Sequence, residues 1–383
     1  MTFKLPWSKR HKKVTGGLPY NFSNSYTEPL TSKELLDMAA ARGDQNLVDE
    51  YLDHTLEYTP NGGSLDLREE IAKLYGPEIG PDNILVFSGA QVIISTLAFA
   101  LLDENSHSIV FTPGYQSVQE APFFARSQVT KIQLKYENDW RIDLDEVEAA
   151  IQENTKYIVV NQPTNPAGTL MSAEEQARLV EMAQRNDIHI LSDEVYRLLE
   201  HTPDVQIPAM ADIYSKGISI VTLSKPWGGC GVTIGWAALQ DLDLRDKMTD
   251  IQYFGTACPS RASELLAIMT LRSSDEILKR NIEIINYNMS LLDEFFDEYS
   301  EYFEWVRPVA GAVSFVKFKG PMDTDELGLA LAKEGISIKP AYVFSDTVTE
   351  DVDFFRLGYG ESNMAEALEK LKEFIERHKG EWD

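Results

Sequence analysis

Five short apolar runs in the middle of the chain each lead into residues able to do chemistry. Lys225 follows Leu223-Ser224 after Ile218-Ser219-Ile220-Val221-Thr222, and Asp193 follows His189-Ile190-Leu191-Ser192. Asn165-Pro166-Ala167-Gly168 comes after Tyr157-Ile158-Val159-Val160, and Tyr115 comes after Ser108-Ile109-Val110-Phe111 and a Pro-Gly turn. Ser88-Gly89-Ala90-Gln91 follows Asn83-Ile84-Leu85-Val86-Phe87 and opens an apolar helical pattern from Val92 to Leu102. An amine, a carboxylate, an amide, an aromatic ring and a glycine-containing helix start are thus offered at five strand ends. A lysine partly removed from water has a lowered pKa, which makes its amine a nucleophile toward an aldehyde. A carboxylate at a buried strand end needs a partner. That partner is either the N–H groups of a helix start, where Asp is a common cap, or a protonated heterocycle.

Each of these residues also has an ordinary reading. Most lysines solubilise a surface, Asn-Pro-Ala-Gly is a turn by composition, Tyr115 and Tyr196 suit a packed core, and Glu28 suits a surface. In this chain order they support one another as a site for pyridoxal 5'-phosphate (PLP). A carboxylate beside the pyridine nitrogen keeps it protonated and makes the ring an electron sink, the role open to Asp193. Tyr196 and Asn165 can donate to the phenolic oxygen, and Tyr115 can stack on the ring. Backbone N–H groups at the helix start around Ala90 and Gln91 suit the phosphate.

The elements that must place these groups are strands alternating with helical patterns. One helix opens with the capping-box spacing Ser172-Ala173-Glu174-Glu175. Continuous apolar strands alternating with helices predict an α/β fold with a mostly parallel sheet sandwiched by helices. In such sheets ligands sit beyond the carboxyl ends of the strands. After about residue 240 the texture changes to a long helical stretch over 260–299. Strands follow at Val313-Ser314-Phe315-Val316-Lys317-Phe318 and Ile336-Ser337-Ile338, then an amphipathic helix near 364–378. The expected organisation is an N-terminal arm over 1–50 joining a small domain, a large cofactor-binding domain over 51–265, and a small C-terminal α+β domain over 266–383. The arm is expected to hold a helix near 32–41.

A formal net charge of −26 argues against nucleic acid as a partner. No apolar run is long enough to span a bilayer, so no membrane partner is expected. The opening MTFKLPWSKRHKKV carries five Lys and Arg residues but no apolar segment after them, and is expected to be a solvated tail without a secretory function. The two cysteines, Cys230 and Cys258, make no disulfide framework and fit a reducing cytoplasm. Neither HExxH nor CxxC spacing occurs, so no metal is expected.

The chain resembles the class I/II aminotransferases among the fold-type-I PLP-dependent enzymes. The resemblance runs from about Tyr58 to Arg356. It is carried by Tyr58-Thr59-Pro60 with Gly62-Gly63-Ser64-Leu65-Asp66-Leu67-Arg68, Ser88-Gly89-Ala90 and Asn165-Pro166-Ala167-Gly168. Asp193-Glu194-Val195-Tyr196, Ser224-Lys225 and Phe355-Arg356-Leu357-Gly358 complete it. It implies that Lys225 forms a Schiff base with the cofactor and moves protons at the Cα of an L-α-amino acid. It implies Asp193 on the pyridine nitrogen, Tyr196 and Asn165 on the phenolic oxygen, and Tyr115 on the ring face. Ala90, Gln91, Thr222 and Ser224 would hold the phosphate, and Arg356, with Asn165, the substrate α-carboxylate. Tyr58 would reach the phosphate of a neighbouring subunit, which implies a homodimer with shared active sites.

Two departures stand out. The family's arginine eight positions after the lysine is Thr233 here, so a full charge toward the phosphate is missing. Asn24-Ser25-Tyr26-Thr27-Glu28-Pro29 replaces a glycine-rich turn, which makes Thr27 and Glu28 candidates to face the substrate, Glu28 for a guanidinium or amine. Transamination is the foremost expected activity. The alternative spends the same Cα carbanion on the side chain, as in the capreomycidine synthase branch to which the chain is also similar. There a hydroxyl of hydroxyarginine is lost and a cyclic guanidine amino acid closes. A non-catalytic regulatory protein on this fold ranks last, since Lys225 and Asp193 are both in place.

Overall fold

The computed structural model describes residues 17–345 and 353–382; the basic opening stretch lies outside the described residues. Seven strands form the large sheet. They are β1 (Ile84–Phe87), β2 (His107–Thr112), β3 (Gln128–Gln133), β4 (Thr155–Asn161), β5 (His189–Asp193), β6 (Gly217–Thr222) and β7 (Gly235–Leu239). Their order is β1-β7-β6-β5-β4-β2-β3, and only β7 runs against the rest. Leu85 and Phe87 pack with Ile93, Leu97, Ile218 and Ile220 on one face. Ile84 and Val86 pack with Val221, Trp236 and Leu265 on the other. Two buried faces are why a strand such as Ile84–Phe87 is apolar throughout instead of alternating.

Two strands lie outside the five expected runs. β3 is an edge strand whose Gln, Thr and Lys residues are partly exposed, with Ile132 turned inward. β7 is built on Gly235, Ala237 and Ala238, residue types that favour strands weakly, and is buried because it lies between β1 and β6. The helical stretch expected over 260–299 is divided at Ser273 into Arg261–Arg272 and Ser274–Glu298. There the Ser273 hydroxyl turns back to donate to the Met269 carbonyl at 2.9 Å, and its N–H closes the first helix.

A second, antiparallel sheet has the order β10-β11-β9-β8, with β8 (Phe303–Trp305), β9 (Val313–Phe318), β10 (Lys339–Pro340) and β11 (Phe354–Gly358). The helices Ser274–Glu298 and Met364–Trp382 cover it around Phe295, Val316, Phe318 and Phe374, an α+β arrangement. Tyr20–Asn21 pairs in parallel with Ile336–Ser337 and ties the N-terminal arm to this part. The helices Ser32–Arg42 and Gln45–Asp53 bury Leu35, Ala39, Leu47 and Val48 against the large sheet's cluster instead. Helices α1 (Ala90–Leu101) and α2 (Gln116–Phe124) follow β1 and β2.

Candidate active site

A cavity of about 560 Å³ opens beyond the carboxyl ends of β2, β4, β5 and β6. Lys225, Asp193, Tyr196, Asn165, Tyr115, Ala90, Gln91, Thr222, Ser224 and Arg356 all line it. Ten candidates read from separate parts of the sequence thus meet in one space.

Lys225 leaves β6 through Leu223, whose N–H donates to the Ile234 carbonyl at 3.1 Å. Its Nζ donates to Ser25 Oγ at 2.9 Å and lies 5.9 Å from the Tyr196 ring centroid. Burial, reinforced by the Arg356 charge, lowers its pKa to about 8, against the opposing pull of Cys230 and Asp193. Asp193 ends β5 at 2% exposure, and burial raises its pKa to about 7. The Val195 N–H at 3.4 Å and the Lys225 charge oppose that rise.

Asn161, at the end of β4, joins two of these groups. Its Nδ2 donates to the Asp193 carbonyl at 2.8 Å, and its Oδ1 accepts from the Asn165 N–H at 2.7 Å. Asn165 Oδ1 in turn accepts from Arg356 Nη1 at 3.0 Å. Arg356 is 2% exposed on β11; its Nη2 donates to the Ser23 carbonyl at 2.7 Å, and its guanidinium lies over the Phe344 ring. Burial lowers its pKa. Two buried polar atoms have no hydrogen-bond partner here, Arg356 Nε and the Tyr196 hydroxyl. Burial pushes Tyr196 up to about 12, while the Arg356 charge and the nearby Ser25 hydroxyl oppose it.

At the other end of the cavity Gly89 has φ +98°, a backbone state that favours glycine, and turns the chain sharply from β1 into α1. β7 presses against this turn, since a Cβ at Gly235 would lie 3.1 Å from the Ala90 nitrogen. The first N–H groups of α1 lack helical acceptors and make an anion site. Thr222 Oγ1 and Ser224 Oγ stand 3.2 Å apart beside it. Gln91 Nε2 donates to the Tyr115 hydroxyl and fixes that ring. Thr233 lines the cavity, but its hydroxyl donates to the Val232 carbonyl at 2.8 Å.

Three candidates lie outside the cavity. Tyr58 is 94% exposed on the surface. Thr27 is buried, with its hydroxyl donating to the Lys225 carbonyl at 2.8 Å and accepting from Asn281 Nδ2 at 2.9 Å. The Glu28 carboxylate accepts from the Ser362 N–H and hydroxyl at 2.8 and 3.0 Å. Both residues fasten the arm to its neighbours, and neither side chain lines the cavity. Ser25 and Asn161, which the sequence did not single out, do line it. Among the described residues no helix is long and apolar enough to cross a membrane, and no group of three His, Cys, Asp or Glu is placed to hold a metal.

The family model for aminotransferase class I and II matches residues 30–371. The aspartate aminotransferase of Bacillus subtilis (strain 168) is 30% identical over 341 residues, 85% of each chain. The crystal structure of a PLP-dependent aminotransferase from Streptococcus suis 89-1591 superposes with a TM-score of 0.91 at 27% identity, covering 100% of this chain and 99% of that one. The PLP-dependent cyclase OrfR superposes with a TM-score of 0.86, covering 99% and 98%; at 22% identity that likeness is one of fold. Fold and site together define a fold-type-I PLP-dependent enzyme. The chain belongs to the class I and II aminotransferase family. The residues present fit the cofactor: a deeply buried carboxyl at Asp193, an unpartnered phenol at Tyr196 and a helix N-terminus share the cavity with the Lys225 amine.

Proposed function

We propose that the chain is an L-α-amino acid aminotransferase in which Lys225 carries PLP and moves the substrate Cα proton. The supporting observation is that the Lys225 amine, the Asp193 carboxyl and the Arg356 guanidinium line one cavity. The cofactor, when bound, supplies an aldehyde and an electron-accepting ring that stabilises negative charge at the substrate Cα. With a pKa near 8, a useful fraction of Lys225 is neutral around neutral pH, so Nζ can attack a carbonyl carbon and later take and return a proton. Asp193 pairs with the ring nitrogen, a cation that offsets the burial of its carboxylate. Tyr115 covers a ring face, and Tyr196 and Asn165 donate to the ring oxygen. Ala90, Gln91, Thr222 and Ser224 hold the phosphate, and Arg356 binds the α-carboxylate through charge-assisted hydrogen bonds. The active form is a homodimer in which Tyr58 serves the partner's site.

A second reading, elimination with ring closure, draws on Thr233. Ala90, Gln91, Thr222 and Ser224, which would hold the phosphate, bring no full charge to it, and Thr233 stands where the family has an arginine. A reaction that ends with the cofactor back on Lys225 would tolerate such a weaker phosphate clamp better than one that does not. The test is mass spectrometry of products from a panel of amino acids, arginine and hydroxyarginine included, with and without 2-oxoglutarate. Keto acid formed in step with glutamate supports transamination. A cyclic product that keeps its amino group, formed without 2-oxoglutarate, replaces it with the second reading. Lys225→Ala is expected to abolish both the visible absorbance of the bound cofactor and turnover; retention of both would refute the assignment.

A further inference from the structure

The N-terminal arm crosses the cavity as a strap with alternating faces. On one side, Gly358 N–H donates to the Phe22 carbonyl at 2.7 Å, Asn24 Nδ2 donates to Glu361 Oε2 at 2.5 Å, and a Cβ at Gly360 would lie 2.2 Å from the Tyr26 carbonyl oxygen. On the other side, the Ser23 carbonyl accepts from Arg356, Ser25 Oγ accepts from Lys225 Nζ, and Thr27 Oγ1 donates to the Lys225 carbonyl. Asn281 Nδ2 locks the last contact by donating to both Thr27 Oγ1 and the Pro226 carbonyl, at 2.9 and 2.8 Å. The strap has no slack: a Cβ at Gly228 would meet the Glu28 carbonyl oxygen at 2.5 Å, and one at Gly358 would meet the Asn24 carbonyl oxygen at 1.9 Å. Ser25 is therefore held two residues from a contact with the backbone of the lysine it touches.

We propose that Ser25 is a positioning residue for the reacting amine, its hydroxyl accepting a hydrogen bond from Lys225 Nζ and holding that nitrogen on the Tyr196 side of the cavity when it is not bonded to the cofactor. The inference rests on the assignment of Lys225 as the cofactor-bearing, proton-moving amine. A free lysine amine on a four-carbon stem has many rotamers, and a fixed acceptor selects among them. A neutral hydroxyl suits this task. A carboxylate in its place would keep the amine protonated, whereas a hydroxyl orients it and leaves it able to lose its proton.

The test uses the full-length chain with Ser25→Ala, and Ser25→Thr to retain the hydroxyl. In cofactor-free protein the pH midpoint for acetylation of Lys225 by acetic anhydride is read on the Lys225 peptide by mass spectrometry. Ser25→Ala removes an acceptor that favours the ammonium form, so the midpoint falls by about one pH unit, the scale of one hydrogen bond to a charged group. Ser25→Thr keeps the wild-type midpoint. In the loaded enzyme, kcat of Ser25→Ala falls about tenfold with KM little changed, since Arg356 still binds the carboxylate. An unchanged midpoint in Ser25→Ala overturns the proposal even where kcat falls, because an arm that only packs would slow turnover without moving the amine's titration. The underlying assignment fails separately, if Lys225→Ala still gains visible absorbance with the cofactor; the acetylation midpoint reads the hydrogen bond independently of that result.

Discussion

Asp193 and Lys225 are moved from their ordinary titration ranges chiefly by burial, and in opposite directions because their charged forms differ in sign. Without a cofactor, the Asp193 shift opposes folding. Its folded pKa of about 7 lies above the unfolded carboxylate value, so the native state holds a proton that the unfolded state has lost. Stability is therefore lost as pH rises from about 4 toward 7, and the loss is complete above 7. Asp193→Asn keeps the shape and cannot ionise. It is expected to raise the melting temperature of the cofactor-free chain at pH 8, by up to about 4 kcal/mol in stability, with little effect at pH 4. The same substitution weakens cofactor binding, and thermal melts at the two pH values with and without PLP check both halves. An unaltered melt at pH 8 would show that the carboxylate is not destabilising there. Lys225, Asp193, Tyr196 and Asn165 stood out in the sequence because each is a reactive residue type just after an apolar strand run, whereas Arg356, in the middle of β11, was offered only by the family resemblance. Ser25 and Asn161 did not stand out, since serine and asparagine in loops commonly satisfy local backbone groups, and nothing in the one-dimensional order brings residue 25 to residue 225.

The elements of the large sheet were legible where both faces are buried, because a run such as Ile84–Phe87 has no polar alternation to confuse it. They were not legible where position in the sheet, and not composition, makes the strand. Gly235–Leu239 is small-residued and gains its place from neighbours on either side, and Gln128–Gln133 is a polar edge. The break at Ser273 was hidden because the helical pattern on both sides of it is continuous. The turn from β1 into α1 carries the next prediction. A Cβ at Gly89 would meet nothing within 4 Å, so Gly89→Ala is sterically free and fails only through its backbone, at φ +98°. The cost is roughly 1–3 kcal/mol. Relaxation of that strain would turn the first N–H groups of α1 away from the position proposed for the phosphate. Gly89→Ala is therefore expected to lower the melting temperature and also to raise the PLP dissociation constant by tenfold or more, measured by fluorescence titration. A lower melting temperature with unchanged PLP affinity would mean that the helix start does not hold the phosphate.

At the scale of the whole molecule, Tyr58 lies outside the cavity of its own chain, 94% exposed, while ten other candidates line that cavity. The homodimer proposed above would reconcile these positions, since each subunit would then lend its Tyr58 to the other and receive one in return. Such an arrangement makes a mixing experiment decisive. Tyr58→Ala chains keep Lys225 but supply no phenol to the partner site, so their homodimer is expected to bind PLP weakly and turn over slowly. Lys225→Ala chains keep Tyr58 but have no amine, so their homodimer is inactive. In a mixed dimer, the site holding Lys225 of the Tyr58→Ala chain receives Tyr58 from the Lys225→Ala chain and is complete, whereas the second site lacks both groups. Adding an excess of the inactive Lys225→Ala protein to Tyr58→Ala protein, with subunit exchange allowed, should therefore raise turnover per Lys225 toward the wild-type value. The gain should vanish when exchange is blocked by chemical crosslinking of each homodimer beforehand. If Tyr58 acts within its own chain, every site holding Lys225 still lacks its tyrosine, and mixing leaves turnover per Lys225 unchanged.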